Sequence, residues 1–112
     1  MKFRHNPYHN PEKCGLEIFA TVDTGAAYEF NMFVIWKKVD DNTLWYATDA
    51  GCSCPTPFDP GRHDLEQITK ENFFAFNNAL KNHSDIDTSK YSEISMSVIK
   101  YLKIRKNMKA PI

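Results

Sequence analysis

The fold is decided by one stretch of sequence, LEIFATVDTGAAYEFNMFVIWKKVDDNTLWYATD, which covers residues 16–49. Apolar and polar residues alternate along it, and a period of two is typical of half-buried strands. Two turn signals divide the stretch, Asp23-Thr24-Gly25 and Asp40-Asp41-Asn42, so we predict strands from Gly15, over Tyr28–Lys37 and over Thr43–Asp49. Because the connections are short, the strands should pair as antiparallel neighbours in a β-meander.

The predicted strands carry apolar residues on both faces. The predicted core face holds Leu16, Ile18, Ala20 and Val22 of the first strand and Tyr28, Phe30, Met32, Val34 and Trp36 of the second. The other face should hold Phe19, Phe33, Ile35, Trp45 and Ala47. A meander covered on one side should be polar on its other side. The second face is therefore either covered by the chain's own helices or N-terminal arm, or it is an exposed strip that contacts a partner.

Helical signals follow an irregular segment, GCSCPTPFDPG, residues 51–61. Asp64 can cap a short helical turn over residues 65–68, and a longer helix should run from Thr69 to about Asn82. A second helix should begin at Thr88 or Ser89. We therefore predict an α+β fold, a three-stranded antiparallel β-meander packed by two C-terminal helices.

A chain of 112 residues is long enough for one domain and too short for two. We divide this single domain into an extended arm (1–14), the meander (15–50), a Pro/Cys loop (51–63) and a helical part (64–112). The steps Asn6-Pro7 and Asn10-Pro11 disfavour helix in the arm, which we expect to lie along one edge of the sheet.

The composition, 42% apolar and 25% charged, is typical of an ordinary globular protein. No run approaches the roughly 18–20 apolar residues that cross a bilayer, and residues 1–13 lack the apolar stretch of a signal peptide. Three cysteines without a secretory context indicate reduced thiols. We expect a cytoplasmic protein that does not bind a membrane.

The charges are balanced, with fourteen basic and fourteen acidic residues, but the chain after Glu93 is purely basic. That end carries Lys100, Lys103, Arg105, Lys106 and Lys109. Cations near a helix C-terminus interact favourably with its dipole, which is one explanation. Contact with phosphates or with a partner is the other, and Tyr101 among these cations keeps nucleic-acid binding open.

The cysteines raise the question of a zinc site. Cys52 and Cys54 form a C-x-C pair, Cys14 is a candidate third ligand, and His63 or His9 a candidate fourth. Structural zinc needs four such ligands and usually shows C-x(2–4)-C spacing, so the metal site is a weak alternative to a loop without metal. We expect no cofactor, with zinc as the open alternative.

Catalytic signals are weak. Cys52, Cys54, Asp49 and His63 are close in sequence, but no nucleophile elbow or glycine-rich phosphate loop surrounds them. Asp40 and Asp41 lie in a predicted turn, where carboxylates commonly have a structural role. We therefore expect that the protein is not an enzyme.

The run YEFNMFVIWKKVDDNTLWYATDAGCSCPTPF, residues 28–58, preceded by YHNPEKCGLEIFATVD, resembles a family of small uncharacterised proteins of tailed phages. The shared pattern is an aromatic strand ending in Trp, a strand closing in Asp, and a Gly-Cys-Ser-Cys-Pro-x-Pro-Phe turn. It extends to Asp64-Leu65, and Cys14 lies outside the turn motif. The resemblance implies a phage setting and no assigned activity, cofactor or catalytic residue.

These observations predict a small phage-encoded accessory protein that binds a host or phage protein stoichiometrically in the cytoplasm of the infected bacterium. Inhibition of a host defence system or a host enzyme is the expected outcome, and a homo-oligomer stays open. The predicted contact residues are Phe19, Phe33, Ile35, Trp45, Cys52, Cys54, Pro55, Pro57 and Phe58. The alternative is a zinc-stabilised nucleic-acid-associated module that uses Cys52, Cys54 and the basic terminal helix.

Overall fold

The structure is a computed structural model that describes residues 4–52, 57–58 and 64–108, with the backbone alone for Cys52 and residues 105–108. The chain forms two compact units, Met1–Ile68 and Thr69–Ile112. The first unit holds a 3-10 turn (Pro11–Cys14) and the strands β1 (Leu16–Asp23), β2 (Glu29–Lys38), β3 (Thr43–Cys52) and β4 (Glu66–Ile68). The second holds the helices α1 (Phe73–Lys81) and α2 (Thr88–Met108).

The four strands form one antiparallel sheet in the order β1-β2-β3-β4, so the predicted α+β class and its meander are confirmed. The fourth strand is a correction, because the segment after Asp64 was expected to be a helical turn. Instead Ile68 pairs with Leu44 and Glu66 pairs with Tyr46. The strand buries Ile68, and the Tyr46 hydroxyl donates a hydrogen bond of 2.9 Å to Glu66. Tertiary pairing here overrides the local helix signal.

A register shift in β1 changes which face its residues occupy. Ile18 pairs with Trp36, but Ala20 pairs with Ile35, so Phe19 is an extra residue without a counterpart on β2. Such a β-bulge reverses the alternation of side chains beyond it. The prediction that Leu16, Ile18, Ala20 and Val22 share one face is therefore wrong. Leu16 and Ile18 lie on the Trp36 face, and Ala20 and Val22 lie on the opposite face.

The pairing of β2 with β3 corrects a second face assignment. Trp36 is paired with Trp45 and Val34 with Ala47, and directly paired residues lie on the same face of a sheet. Trp45 and Ala47 therefore lie on the Trp36 face, and not beside Phe33 and Ile35 as predicted. On the Phe33 face, Tyr46 is the neighbour of Ile35, and the Phe33 and Tyr46 rings stack with centroids 5.4 Å apart.

The Trp36 face carries a core cluster within the first unit. Its buried members are Leu16, Phe30, Met32, Val34, Trp36, Ala47, Phe58 and Leu65, with Tyr8, Cys14 and Trp45 packed against them. The N-terminal arm lies over this face, because the Trp36 indole N–H donates a hydrogen bond of 2.9 Å to the Pro7 carbonyl. Since β2 is an inner strand, the arm covers the sheet at this point, whereas we had expected it along an edge.

The second unit is a pair of helices joined by polar contacts. The Asn77 amide donates a hydrogen bond to the Tyr91 hydroxyl and accepts one from the Ser95 hydroxyl, each of 2.8 Å. The first helix begins at Phe73 and not at Thr69, because Thr69 and Asn72 form a turn in which the side-chain oxygen Oδ1 of Asn72 accepts the Thr69 N–H at 2.6 Å. The start of α2 at Thr88 confirms the prediction. Neither described helix is long and apolar enough to span a bilayer.

Candidate functional site

The candidate site lies at one end of the sheet, where β1 ends, β2 begins and β3 ends; we call this the hairpin end. A loop of residues 24–28 joins β1 to β2 there. Asp23 fixes it, because one carboxylate oxygen accepts the N–H of Gly25 at 2.9 Å and the N–H of Asn31 at 3.0 Å. The Asn31 carbonyl in turn accepts the Thr24 N–H at 3.0 Å. The base of the hairpin loop is therefore closed by hydrogen bonds on both strands.

Gly25 lets the loop pass close to the start of β2. A Cβ atom at this position would lie 2.6 Å from the Glu29 carbonyl oxygen and 2.7 Å from the Phe30 Cα. Both neighbours are backbone atoms, which cannot move aside as a flexible side chain could. Any residue with a Cβ atom at position 25 would therefore clash with the backbone at the start of β2.

Tyr28 differs from the rest of this loop in its large exposed ring and in its backbone conformation. Its φ is 66°, in the left-handed region that bulky residues rarely adopt, and its side chain is 85% exposed. The next residue, Glu29, donates its N–H to the Ala26 carbonyl at 3.0 Å, which closes a turn around Tyr28. The result is a large ring that projects into solvent from a backbone held by hydrogen bonds before and after it.

Two residues of the Pro/Cys loop, Pro57 and Phe58, are held near the hairpin end by Asp49 and by the arm. One Asp49 oxygen accepts the Phe58 N–H at 2.8 Å, and the other accepts the Ala50 N–H at 3.0 Å. The Asn6 amide donates a hydrogen bond of 2.7 Å to the Pro57 carbonyl. We call Pro57–Phe58 the corner. Its position is set on one side by β3 and on the other by the N-terminal arm.

The two carboxylates that hold these segments lie in one row across the sheet. Asp23 of β1 pairs with Met32 of β2, and Met32 pairs with Asp49 of β3. Next along β2, Phe30 pairs with Gly51, and a Cβ added to Gly51 would lie 3.2 Å from the Phe30 ring. Phe30 and Phe58 belong to the same core cluster. The hairpin loop, which passes close to Phe30, and the corner, which contains Phe58, are thus both next to residues of one core cluster.

The predicted contact residues are not gathered into one exposed strip. Phe33 is 1% exposed and Ile35 is 0% exposed, while Phe19 and Trp45 are half-buried, with Trp45 on the opposite face. Phe33 and Ile35 thus present no open surface in this structure, and the contact role assigned to these four residues stays a prediction.

The remaining predicted contacts fall on the Pro/Cys loop. Pro57 is half-buried and Phe58 is 0% exposed. Cys54 and Pro55 lie outside the described residues, as does the Cys52 side chain. The structure therefore places Phe58 in the core and leaves Pro57 half-buried, and the contact role of these five residues stays a prediction.

The described zinc candidate, Cys14, is half-buried and its thiol donates a hydrogen bond of 3.4 Å to the His5 carbonyl. Burial, with a smaller contribution from the charge of Glu12, raises the pKa of this thiol, so the neutral form is favoured. Within the part of the chain that the structure describes, no three His, Cys, Asp or Glu side chains group as metal ligands. Cys54 and His63 lie outside that part, so the zinc hypothesis stays a prediction.

Tyr28 is the residue that sequence reasoning missed. The alternating pattern assigned it to the buried face of the second strand, in phase with Phe30 and Met32. The signal that could have found it is the segment Gly25-Ala26-Ala27 before it, since three small residues after a turn signal favour a loop that continues to Tyr28.

A family profile described as a domain of unknown function, DUF7574, matches residues 5–108. The chain belongs to this family. The match covers the arm, the sheet and both helices, so the DUF7574 domain includes the hairpin end and the corner together. No curated protein and no solved structure matches the chain.

Proposed function

We propose that this protein acts by binding another protein stoichiometrically through the hairpin end of its sheet. The observation that supports the proposal is Tyr28, whose side chain is 85% exposed on a loop that Asp23 holds in place. A ring on a backbone that is already fixed loses little conformational freedom on binding. Tyrosine is also one of the residue types that dominate the binding energy of protein interfaces.

The neighbours of Tyr28 favour a concave partner surface. Gly25, Ala26 and Ala27 are exposed and small, so the tyrosine ring protrudes from a slender loop. Exposed aromatic anchors gain most of their energy when they fill a desolvated pocket on the partner. Enzymes carry such pockets at their active sites. The shape of the loop therefore supports inhibition of an enzyme as the outcome of binding.

The proposed setting is the cytoplasm of a bacterium infected by a phage. It rests on the resemblance of residues 28–58 to small proteins of tailed phages. In that setting the partner is a protein of a host defence system or a host enzyme, and the protein described here binds it in a one-to-one complex.

The test is a paired capture from infected bacteria with wild-type protein and the variants Tyr28→Ala, Tyr28→Phe and Val39→Ala. Val39 is the matched control, because it is 55% exposed in the turn after β2, at the other end of the sheet. We expect one bacterial protein to be recovered by wild type and by the Val39→Ala variant. Tyr28→Ala should weaken its binding about thirtyfold, as expected for a central aromatic anchor, and Tyr28→Phe should retain most of it.

Native mass spectrometry of the recovered complex should give a one-to-one ratio. The proposal is contradicted by equal recovery with Tyr28→Ala and wild type. Recovery of no partner by any of the four proteins also contradicts it.

A further inference from the structure

The N-terminal arm and the corner hold each other in place through Asn6. This side chain is 8% exposed, and its amide donates a hydrogen bond of 2.7 Å to the Pro57 carbonyl. Its carbonyl oxygen accepts the N–H groups of Tyr8 at 2.8 Å and of His9 at 3.0 Å. One side chain thus folds the turn of the arm and binds the corner at the same time. Buried polar groups are costly when they lose their partners, so the two segments should separate together.

Phe58 joins the same assembly from the other side. Its ring is 0% exposed and meets the Trp36 ring edge-on at 5.2 Å, with the Tyr8 ring at 6.3 Å. Its φ is 58°, a left-handed value that a phenylalanine keeps only where its surroundings impose it. The arm contributes Tyr8 to these surroundings, and it also contributes the Pro7 carbonyl that binds the Trp36 indole. The strained corner therefore depends on the arm being docked.

We infer that the arm and the corner form one cooperative unit that regulates the hairpin end. The inference rests on the proposed function, because it concerns the same end of the sheet. Asp49, which binds the Phe58 N–H, lies in one row with Asp23, which holds the loop of Tyr28. When the arm leaves, the corner loses Asn6 and Tyr8, which weakens the hold on Phe58 in the core cluster that also contains Phe30. In this proposal undocking of the arm weakens binding at the hairpin end, and because coupling is reciprocal, binding there stabilises the docked arm by the same factor.

The variant Asn6→Asp separates the two roles of Asn6. A carboxylate still accepts the N–H groups of Tyr8 and His9, but it cannot donate to the Pro57 carbonyl. The readouts are hydrogen exchange rates of two groups: the Phe58 amide, which shares a peptide group with the Pro57 carbonyl, and the Trp36 indole N–H, which donates to the Pro7 carbonyl. We expect both rates to rise at least about tenfold, because the variant loses one hydrogen bond and its buried carboxylate also repels the Pro57 carbonyl oxygen.

The matched control is Asn10→Asp, the same change in the same arm. Asn10 precedes the 3-10 turn and its side chain makes no capping hydrogen bond, so both exchange rates should stay at the wild-type values. The Val34 amide reports whether the sheet is intact. If Val34 stays protected while Asn6→Asp leaves the rates of Phe58 and Trp36 unchanged, the arm and the corner are independent and the inference fails.

The wild-type chain offers a second test that needs no variant. The free energies of opening measured at the Phe58 amide and at the Trp36 indole should be equal and should fall with urea at the same slope, because one event exposes both groups. Two different opening free energies would overturn the inference, even if every variant failed to fold.

The regulatory part is tested with the partner recovered by wild type. Saturation of the wild-type chain with this partner should slow exchange of the Phe58 amide and of the Trp36 indole N–H at least about tenfold, because a partner that binds only the docked state depletes the open one. Unchanged exchange at both groups in the saturated complex would overturn regulation by the arm. This outcome is distinct from failure of the proposed function, which the Tyr28→Ala variant decides. That variant removes an exposed ring and keeps the hydrogen bonds of Asn6 and Asp49 to the corner, so both exchange rates should stay unchanged.

Discussion

At the scale of single residues, Tyr46 shows how burial and one hydrogen bond set a titration. Burial, the hydrogen bond to the Glu66 carboxylate and the negative charge of that group together raise the pKa of its hydroxyl from an ordinary value of 10.0 to about 12, with burial as the largest cause. All three causes favour the neutral phenol. Between these two pKa values the folded chain therefore keeps the Tyr46 proton, which the unfolded chain would lose.

The sign of the resulting pH dependence follows from linkage. Because the pKa of the folded state lies above the pKa of the unfolded state, the contribution of Tyr46 is complete below pH 10.0 and is lost as the pH rises towards about 12. In an absorbance titration at high pH, one of the five tyrosines should ionise last. Tyr46→Phe should remove this late step, and Tyr91→Phe should not. A late step that persists in Tyr46→Phe would contradict the assignment.

Gly15 and Gly25 are needed for different reasons, one for its backbone conformation and the other for lack of space, and alanine substitutions distinguish the two. Gly15 has a φ of 70° with nothing within 4 Å of an added Cβ, so Gly15→Ala meets only backbone strain, about 1 kcal/mol. Gly25→Ala places its Cβ 2.6 Å from a carbonyl oxygen, and overpacking against backbone costs about 1–3 kcal/mol. Urea unfolding should rank Gly25→Ala as the less stable variant. The reverse ranking would show that the hairpin loop can move aside.

At the scale of elements, the sequence predicts whatever depends on local periodicity. The three long strands and the start of α2 follow from period-two and helical patterns, because each pattern is a property of neighbouring residues. The bulge at Phe19 and the pairing of β4 do not, since both are decided by partners distant in sequence. The faces of Trp45 and Ala20 were misassigned for this reason. Of the candidate site, the Pro/Cys loop was visible in the sequence, while Tyr28 and Asn6 gained their roles only through turns and long-range hydrogen bonds.

The bulge makes a prediction about single-residue deletions. Phe19 has no counterpart on β2, so its deletion leaves every other pair of the β1–β2 ladder in register. Thr48 is exposed and lies in an uninterrupted ladder opposite Phe33, so its deletion shifts one half of β3 by a residue. We expect the Phe19 deletion to lose about 1–2 kcal/mol of packing and to keep the fold, and the Thr48 deletion to abolish cooperative unfolding. Circular dichroism and urea unfolding measure these effects. Equal loss of structure in the two deletion variants would contradict a bulge at Phe19.

At the scale of the whole molecule, the charge balance determines how the protein should meet its partner. The formal net charge is zero, with the acidic residues before Ile94 and a basic end after it, so no overall field attracts a charged macromolecule from a distance. The association rate with the captured partner should therefore change less than about threefold between roughly 50 and 500 mM salt. Stopped-flow measurements on wild type provide the rate, with Tyr28→Phe as a control that keeps the anchor ring.

A nucleic-acid-binding protein behaves differently, because its affinity falls steeply with salt as counterions are released. A tenfold or greater loss of association rate over this range would contradict binding governed by an aromatic anchor and would favour contacts made by the basic end of α2.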